Sequence, residues 1–93
     1  MKRYEIWKVT LKSNVENYEY LPAGAKALAG GVQGGSIVIW FQVEPERIQG
    51  RRHFVNIFTG ESFNQLKGTT WNYICTNQMP NGIVVHTFEK IVE

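Results

Sequence analysis

Ser36-Ile37-Val38-Ile39-Trp40-Phe41-Gln42-Val43, closed by Glu44-Pro45-Glu46, is the stretch whose reading decides the fold. At period two, Ile37, Ile39, Phe41 and Val43 fall on one face and Val38 and Trp40 on the other. A short run this rich in β-branched and aromatic residues reads as a strand. Apolar side chains on both faces place that strand in the middle of the domain. Pro45 ends it, because proline has no N–H to give to a ladder.

The same period runs outward in both directions. Arg3 to Leu11 alternates, with Trp7, Val9 and Leu11 on one face and Tyr4 and Ile6 on the other. Ser13-Asn14 signals a turn, and Tyr18-Glu19-Tyr20-Leu21 reads as a shorter strand ended by Pro22. Ala25 to Val32 is alanine-rich but bracketed by Gly24, Gly30 and Gly31. About eight residues is short for a helix that must bury a face, so a strand is expected. Beyond an arginine-rich loop, Phe54 to Thr59 resumes the alternation, and Gly60 to Gly68 is polar and irregular. Trp71 to Thr76 and Ile83 to Val92 follow, joined by Gln78-Met79-Pro80-Asn81-Gly82. Asn-Gly between two β-rich runs is the strongest hairpin signal in the chain. Six or seven short strands predict one all-β domain over residues 1–93, an antiparallel sandwich or partly closed barrel.

Composition narrows the function classes. A chain of 93 residues and 10.7 kDa exposes roughly 5,500 Å² folded against roughly 15,500 Å² unfolded, enough for a thin core. No apolar run approaches a membrane span, and Met1-Lys2-Arg3 is followed by Glu5 rather than a signal-peptide core. A multidomain enzyme, a disulfide scaffold and a membrane anchor are therefore not expected. The net charge is +2, and all eight acids are Glu. That is too mild for a dedicated, sequence-specific nucleic-acid module. Cys75 is the single cysteine and reads as a small buried hydrophobe. His53, His86, Cys75 and scattered Glu show no metal-ligand spacing, so neither metal nor cofactor is expected.

Short marks along the chain carry a resemblance. They are Trp7-Lys8, Leu21-Pro22-Ala23-Gly24-Ala25-Lys26, Gln33-Gly34, Ile39-Trp40, Val43-Glu44-Pro45, and Arg52 with Phe54. Phe58-Thr59-Gly60, Tyr73-Ile74-Cys75-Thr76 and Val84-Val85-His86-Thr87-Phe88-Glu89 complete them. In these the chain resembles a family of short uncharacterised proteins of tailed bacteriophages, known only as a domain of unknown function. It departs from that pattern in the glycine-rich stretch Gly30 to Gly35. The resemblance implies expression in the cytoplasm of an infected bacterial cell, and it transfers no catalytic residue.

Three groups of residues invite a ligand. Gly34 and Gly35, in Gly30-Gly31-Val32-Gln33-Gly34-Gly35, would admit an anion to backbone N–H groups. No Lys-Ser/Thr and helix follow as in a phosphate loop, so a tight turn is the stronger reading. Arg47, Arg51, Arg52 and His53 form the best anion-binding candidate, because arginine takes phosphate bidentately. Pairing of those arginines with Glu44 and Glu46 at under about 1 kcal/mol each is the competing reading, narrowly ahead. Aromatic residues, Trp40 among them, exceed what a thin core hides, which points to an interface or a base-stacking surface. His86 reads as a hydrogen-bonded member of the fold, and Ser13, Ser36 and Ser62 lack a nucleophile elbow.

The expected function is therefore binding without catalysis. The leading expectation is a phage counter-defence protein that sequesters a small anionic nucleotide, of cyclic or ADP-ribose type, between protomers of a homo-oligomer. An inhibitor directed at a host defence protein and a small virion protein are the alternatives. An enzyme comes last.

Overall fold

β4 (Ser36–Val43) is the central strand of a three-stranded antiparallel sheet, flanked by β1 (Glu5–Thr10) and β3 (Lys26–Gln33). A second antiparallel sheet has the order β2 (Glu16–Pro22), β5 (Gln49–Phe58), β7 (Val84–Val92), β6 (Thr69–Gln78). This computed structural model describes residues 1–12, 16–64 and 67–92, and among them there is no helix. The Ser13-Asn14 turn lies outside the described residues, as do Gln65 and Leu66 of the expected irregular stretch. The chain is an all-β sandwich, not closed into a barrel. The stretch expected as a strand over Ala25 to Val32 is one, running from Lys26 to Gln33 with Ala25 in the turn before it.

The core lies where the inward rows of the two sheets meet. Register aligns Trp7 with Phe41 and Val9 with Ile39 across β1 and β4. Ile37, Ile39, Phe41 and Val43 are buried against Leu21, Phe54 and Val85 of the other sheet. Phe41 and Phe54 meet ring to ring across the layers at 5.8 Å. The outward row of β4 is covered differently from what two-sided apolarity suggested, because among the described residues no second layer lies on it. Val38 is shielded by its own sheet, where Lys8 Nζ on β1 donates to Gln33 Oε1 at the end of β3 at 2.9 Å. Trp40 lies beside it over Gly31, where an added Cβ would sit 3.2 Å from the indole.

Glycines set two further features. Gly34 and Gly35 both have positive φ (57° and 79°), which makes the two-residue link between Gln33 and Ser36 the primed type of hairpin turn. On one side of the sandwich β3 packs along β6. There a Cβ on Gly30 would stand 2.2 Å from Cys75 Sγ, so glycine is what allows the approach.

One element needs correction and one turn needs detail. The arginine-rich stretch is not a loop, because β5 begins at Gln49 and pairs with β2 through Tyr18↔His53, Glu19↔Arg52 and Tyr20↔Arg51. Polar side chains on both faces hid the strand. The β6–β7 hairpin is where Asn-Gly placed it, but Gly82 N donates to Met79 O (2.8 Å), and among the described residues no non-glycine has positive φ. Asn81 therefore sits in an ordinary turn, with only Gly82 (φ 88°) left-handed.

Candidate functional site

Alternation along β5 decides what its cations can do. Arg52 shares the inward face with Phe54, and Arg51 and His53 point outward. Inside, Arg52 Nε and Nη2 donate to the two carboxylate oxygens of Glu89 at 2.6 and 2.7 Å. Its Nη1 donates to the carbonyl of Ala25 at 2.6 Å, in the turn that enters β3. Three of the five guanidinium donors are thus held within the fold. The guanidinium also lies 5.5 Å from the centroid of the Phe41 ring. Arg52 is a staple between sheets, because β5 and β7 belong to one and the Ala25 turn leads into the other.

Outside, a second cluster forms. Tyr18 stacks on His53 with ring centroids 4.3 Å apart and planes 17° from parallel. Arg51 lies 4.8 Å from the Tyr18 centroid, and Tyr20 faces Arg51 in the register. His53 Nε2 is 3.3 Å from Glu16 Oε1, within ion-pair range but not aligned as a hydrogen bond. Tyr18 and Tyr20 are 50% and 64% exposed, so this cluster is open to a ligand. Further across the same face, Trp71, Phe88, Tyr73 and Phe63 pack with centroids 5.0 to 6.1 Å apart, and Lys90 Nζ is 5.5 Å from the Trp71 ring.

The other expected residues lie elsewhere. Arg47, in the link between β4 and β5, is 4.0 Å from Glu44, and its Nη1 crowds Gly24. Trp40 is on the outward face of the three-stranded sheet, and Gly34 and Gly35 cap the β3–β4 hairpin. Of the seven named residues, Arg51 and His53 share one face of β5 and Gly34 and Gly35 share the β3–β4 turn, and the two pairs lie apart. The sequence reading missed Tyr20 as a partner of Arg51, and Glu89 as a buried acid. The signal for Glu89 was present, because it alternates with Val85 and Thr87 on one face of its strand.

His86 is held on both sides, with Nε2 2.7 Å from Thr59 Oγ1 and Nδ1 3.0 Å from Thr76 Oγ1. Tyr73 extends the chain through its hydroxyl, 2.7 Å from Thr76 Oγ1. Cys75 is buried, and loss of water pushes its thiol pKa up against the opposing hydrogen bonds from Thr87 and Asn77. The protonated thiol is the form this site favours. Among the described residues no three His, Cys or Glu side chains gather as metal ligands would.

Comparison with known families places the whole arrangement. The model of a domain of unknown function, DUF7352, matches residues 2–93. The chain belongs to the DUF7352 family. Membership covers the entire sandwich, both clusters of the outer face included, and it carries no stated activity. No curated protein and no solved structure matches the DUF7352 chain.

Proposed function

We propose that this DUF7352 domain is a binding protein rather than an enzyme, and that its ligand is a small anionic nucleotide of cyclic or ADP-ribose type. The observation that carries the reading is the exposed cluster of Arg51, Tyr18 and Tyr20 on one sheet face, with the half-buried His53 stacked against Tyr18. Arg51 offers phosphate a bidentate fork, and the open Tyr20 ring offers a base a stacking surface. Arg52 takes no part, since Glu89 and Ala25 hold it inside. Arg47, Trp40, Gly34 and Gly35 stand apart from the cluster.

The face is a sheet surface, and a nucleotide lying on it keeps one side in water. A second copy meeting the first across this face closes the site, and two-fold symmetry supplies two of them. In the infected-cell setting implied by the phage-protein resemblance, such a dimer withdraws a host immune signal from solution. Thermal shift with a panel of cyclic mono- and dinucleotides and ADP-ribose tests the reading. A ligand at 100 Kd adds about 2.7 kcal/mol, and Arg51→Ala or Tyr20→Ala removes the gain. No shift with any nucleotide at millimolar concentration overturns it.

One observation favours a second reading, a protein-directed inhibitor. The Trp71, Phe88, Tyr73 and Phe63 cluster, with Lys90 at its edge, has the composition of an interface anchor. The two readings separate on stoichiometry, because only the nucleotide reading requires a self-associated dimer.

A further inference from the structure

At one end the sandwich stays open between the β3–β4 and β6–β7 hairpins, leaving a cleft of about 520 Å³. That volume lies within the roughly 300–1,000 Å³ in which small ligands are enclosed. Its depth is mainly apolar, with Leu11, Ile37 and Val85 nearly inaccessible beside the buried Asn56, and Met79 and Ile83 line it nearer the surface. Methionine is unbranched and polarisable, which suits a wall that must adapt to what it holds.

The polar side chains of the cleft are Lys12, Ser36, Asn56 and Asn81. Lys12 and Asn81 are exposed and Ser36 is half-buried, whereas the buried Asn56 accepts the Thr87 hydroxyl through Oδ1 at 2.7 Å. Asn81 Oδ1 already accepts the Ile83 N–H at 3.1 Å, so its amide nitrogen is the end able to donate to a ligand. No acidic side chain is among the lining residues described. One cation with the neutral donors Ser36 and Asn81, above a mainly apolar depth, matches a ligand with an anionic head and a hydrocarbon body.

We propose that the cleft binds a free, monomeric straight-chain carboxylate. Its chain runs inward along Ile37 and Val85, and its carboxylate takes charge-assisted hydrogen bonds from Lys12, with Ser36 or Asn81 as second donor. The site shares no residue with the Arg51 and Tyr20 cluster, so it stands or falls independently of the nucleotide reading.

Calorimetric titration of the full chain with octanoate, decanoate and dodecanoate, each below its micelle concentration, tests this. Affinity rises about four-fold per added methylene until the cleft is full. Lys12→Ala, a surface change, weakens dodecanoate about ten-fold. Ile83→Trp narrows the mouth at an exposed position and weakens dodecanoate more than octanoate, with the circular dichroism melt showing the variant folded. The proposal is overturned by no heat with any chain length, or by dodecylammonium binding as tightly as dodecanoate. It is equally overturned if Lys12→Ala leaves dodecanoate unchanged. Sedimentation with phosphatidylglycerol vesicles in place of binding to free dodecanoate also overturns it, because the cleft then belongs to a membrane surface.

Discussion

Arg52 shows how much one side chain's direction decides. Its neighbour Arg51 is chemically identical, yet one residue of strand alternation sends Arg51 to solvent and Arg52 into the sandwich. The Arg52–Glu89 pair has side-chain exposures of 22% and 11%, so water screens it only weakly. Removing one partner of a pair like this leaves a poorly solvated charge behind. Glu89→Gln is expected to cost about 2–4 kcal/mol, below the range for a fully buried pair because Arg52 keeps some water. A lowered urea midpoint with an unchanged slope checks it. Replacing both partners together with apolar residues of similar volume costs less than the single change. The direction of Arg52 was legible once Phe54 was placed in the core, since the two share parity. Its partner was not, because the sequence does not say which inward acid lies opposite.

At the scale of elements, the approach of β3 to β6 rests on two small residues. Gly30 and Cys75 pack so closely that an added Cβ would fall 2.2 Å from Sγ and 2.8 Å from the Cys75 Cβ. Both neighbours are rigid parts of a strand, so the strands themselves must move apart. Gly30→Ala is expected to destabilise the fold by about 1–3 kcal/mol, the usual penalty of overpacking. Cys75→Gly in the same chain restores part of the loss, and a double-mutant cycle on thermal unfolding measures the coupling. A chain with equal losses for the single and double changes would rule out this contact as the cause. The glycine stretch was legible as a turn at Gly34-Gly35, where the residue type dictates the backbone. The role of Gly30 was not, because its reason is a side chain 45 residues away on another sheet.

Across the whole molecule, the fold is thin. Its extents are 46 × 35 × 17 Å, and its radius of gyration of 13.8 Å exceeds the roughly 12 Å of a compact chain of this length. The accessible surface, 6154 Å², likewise exceeds the roughly 5,500 Å² of an average globule of this mass. Two layers and one core layer between them leave much of the outer faces of both sheets in water, with Val38 and Val55 shielded by neighbouring side chains. The aromatic surplus noticed in the composition settles mainly on one of them, with Tyr18, Tyr20 and Tyr73 half-exposed or more. Self-association across that face would cover these rings. Size-exclusion chromatography with light scattering is expected to show a concentration-dependent dimer, dissociated by Tyr20→Glu with Tyr18→Glu. A strict monomer at high concentration would favour the protein-partner reading over nucleotide sequestration.

The sequence by itself determined the all-β class, the central place of Ser36 to Val43, the β6–β7 hairpin and which residues of β1 and β4 share a face. These follow from period-two alternation and from turn residues, which act within a few residues of themselves. Only the tertiary structure decided which strands share a sheet, that Arg52 is spent on Glu89 while Arg51 stays open, and that an apolar cleft remains between two hairpins. Those facts depend on which faces meet across the sandwich, and a local pattern fixes a side chain's face without fixing what lies opposite it.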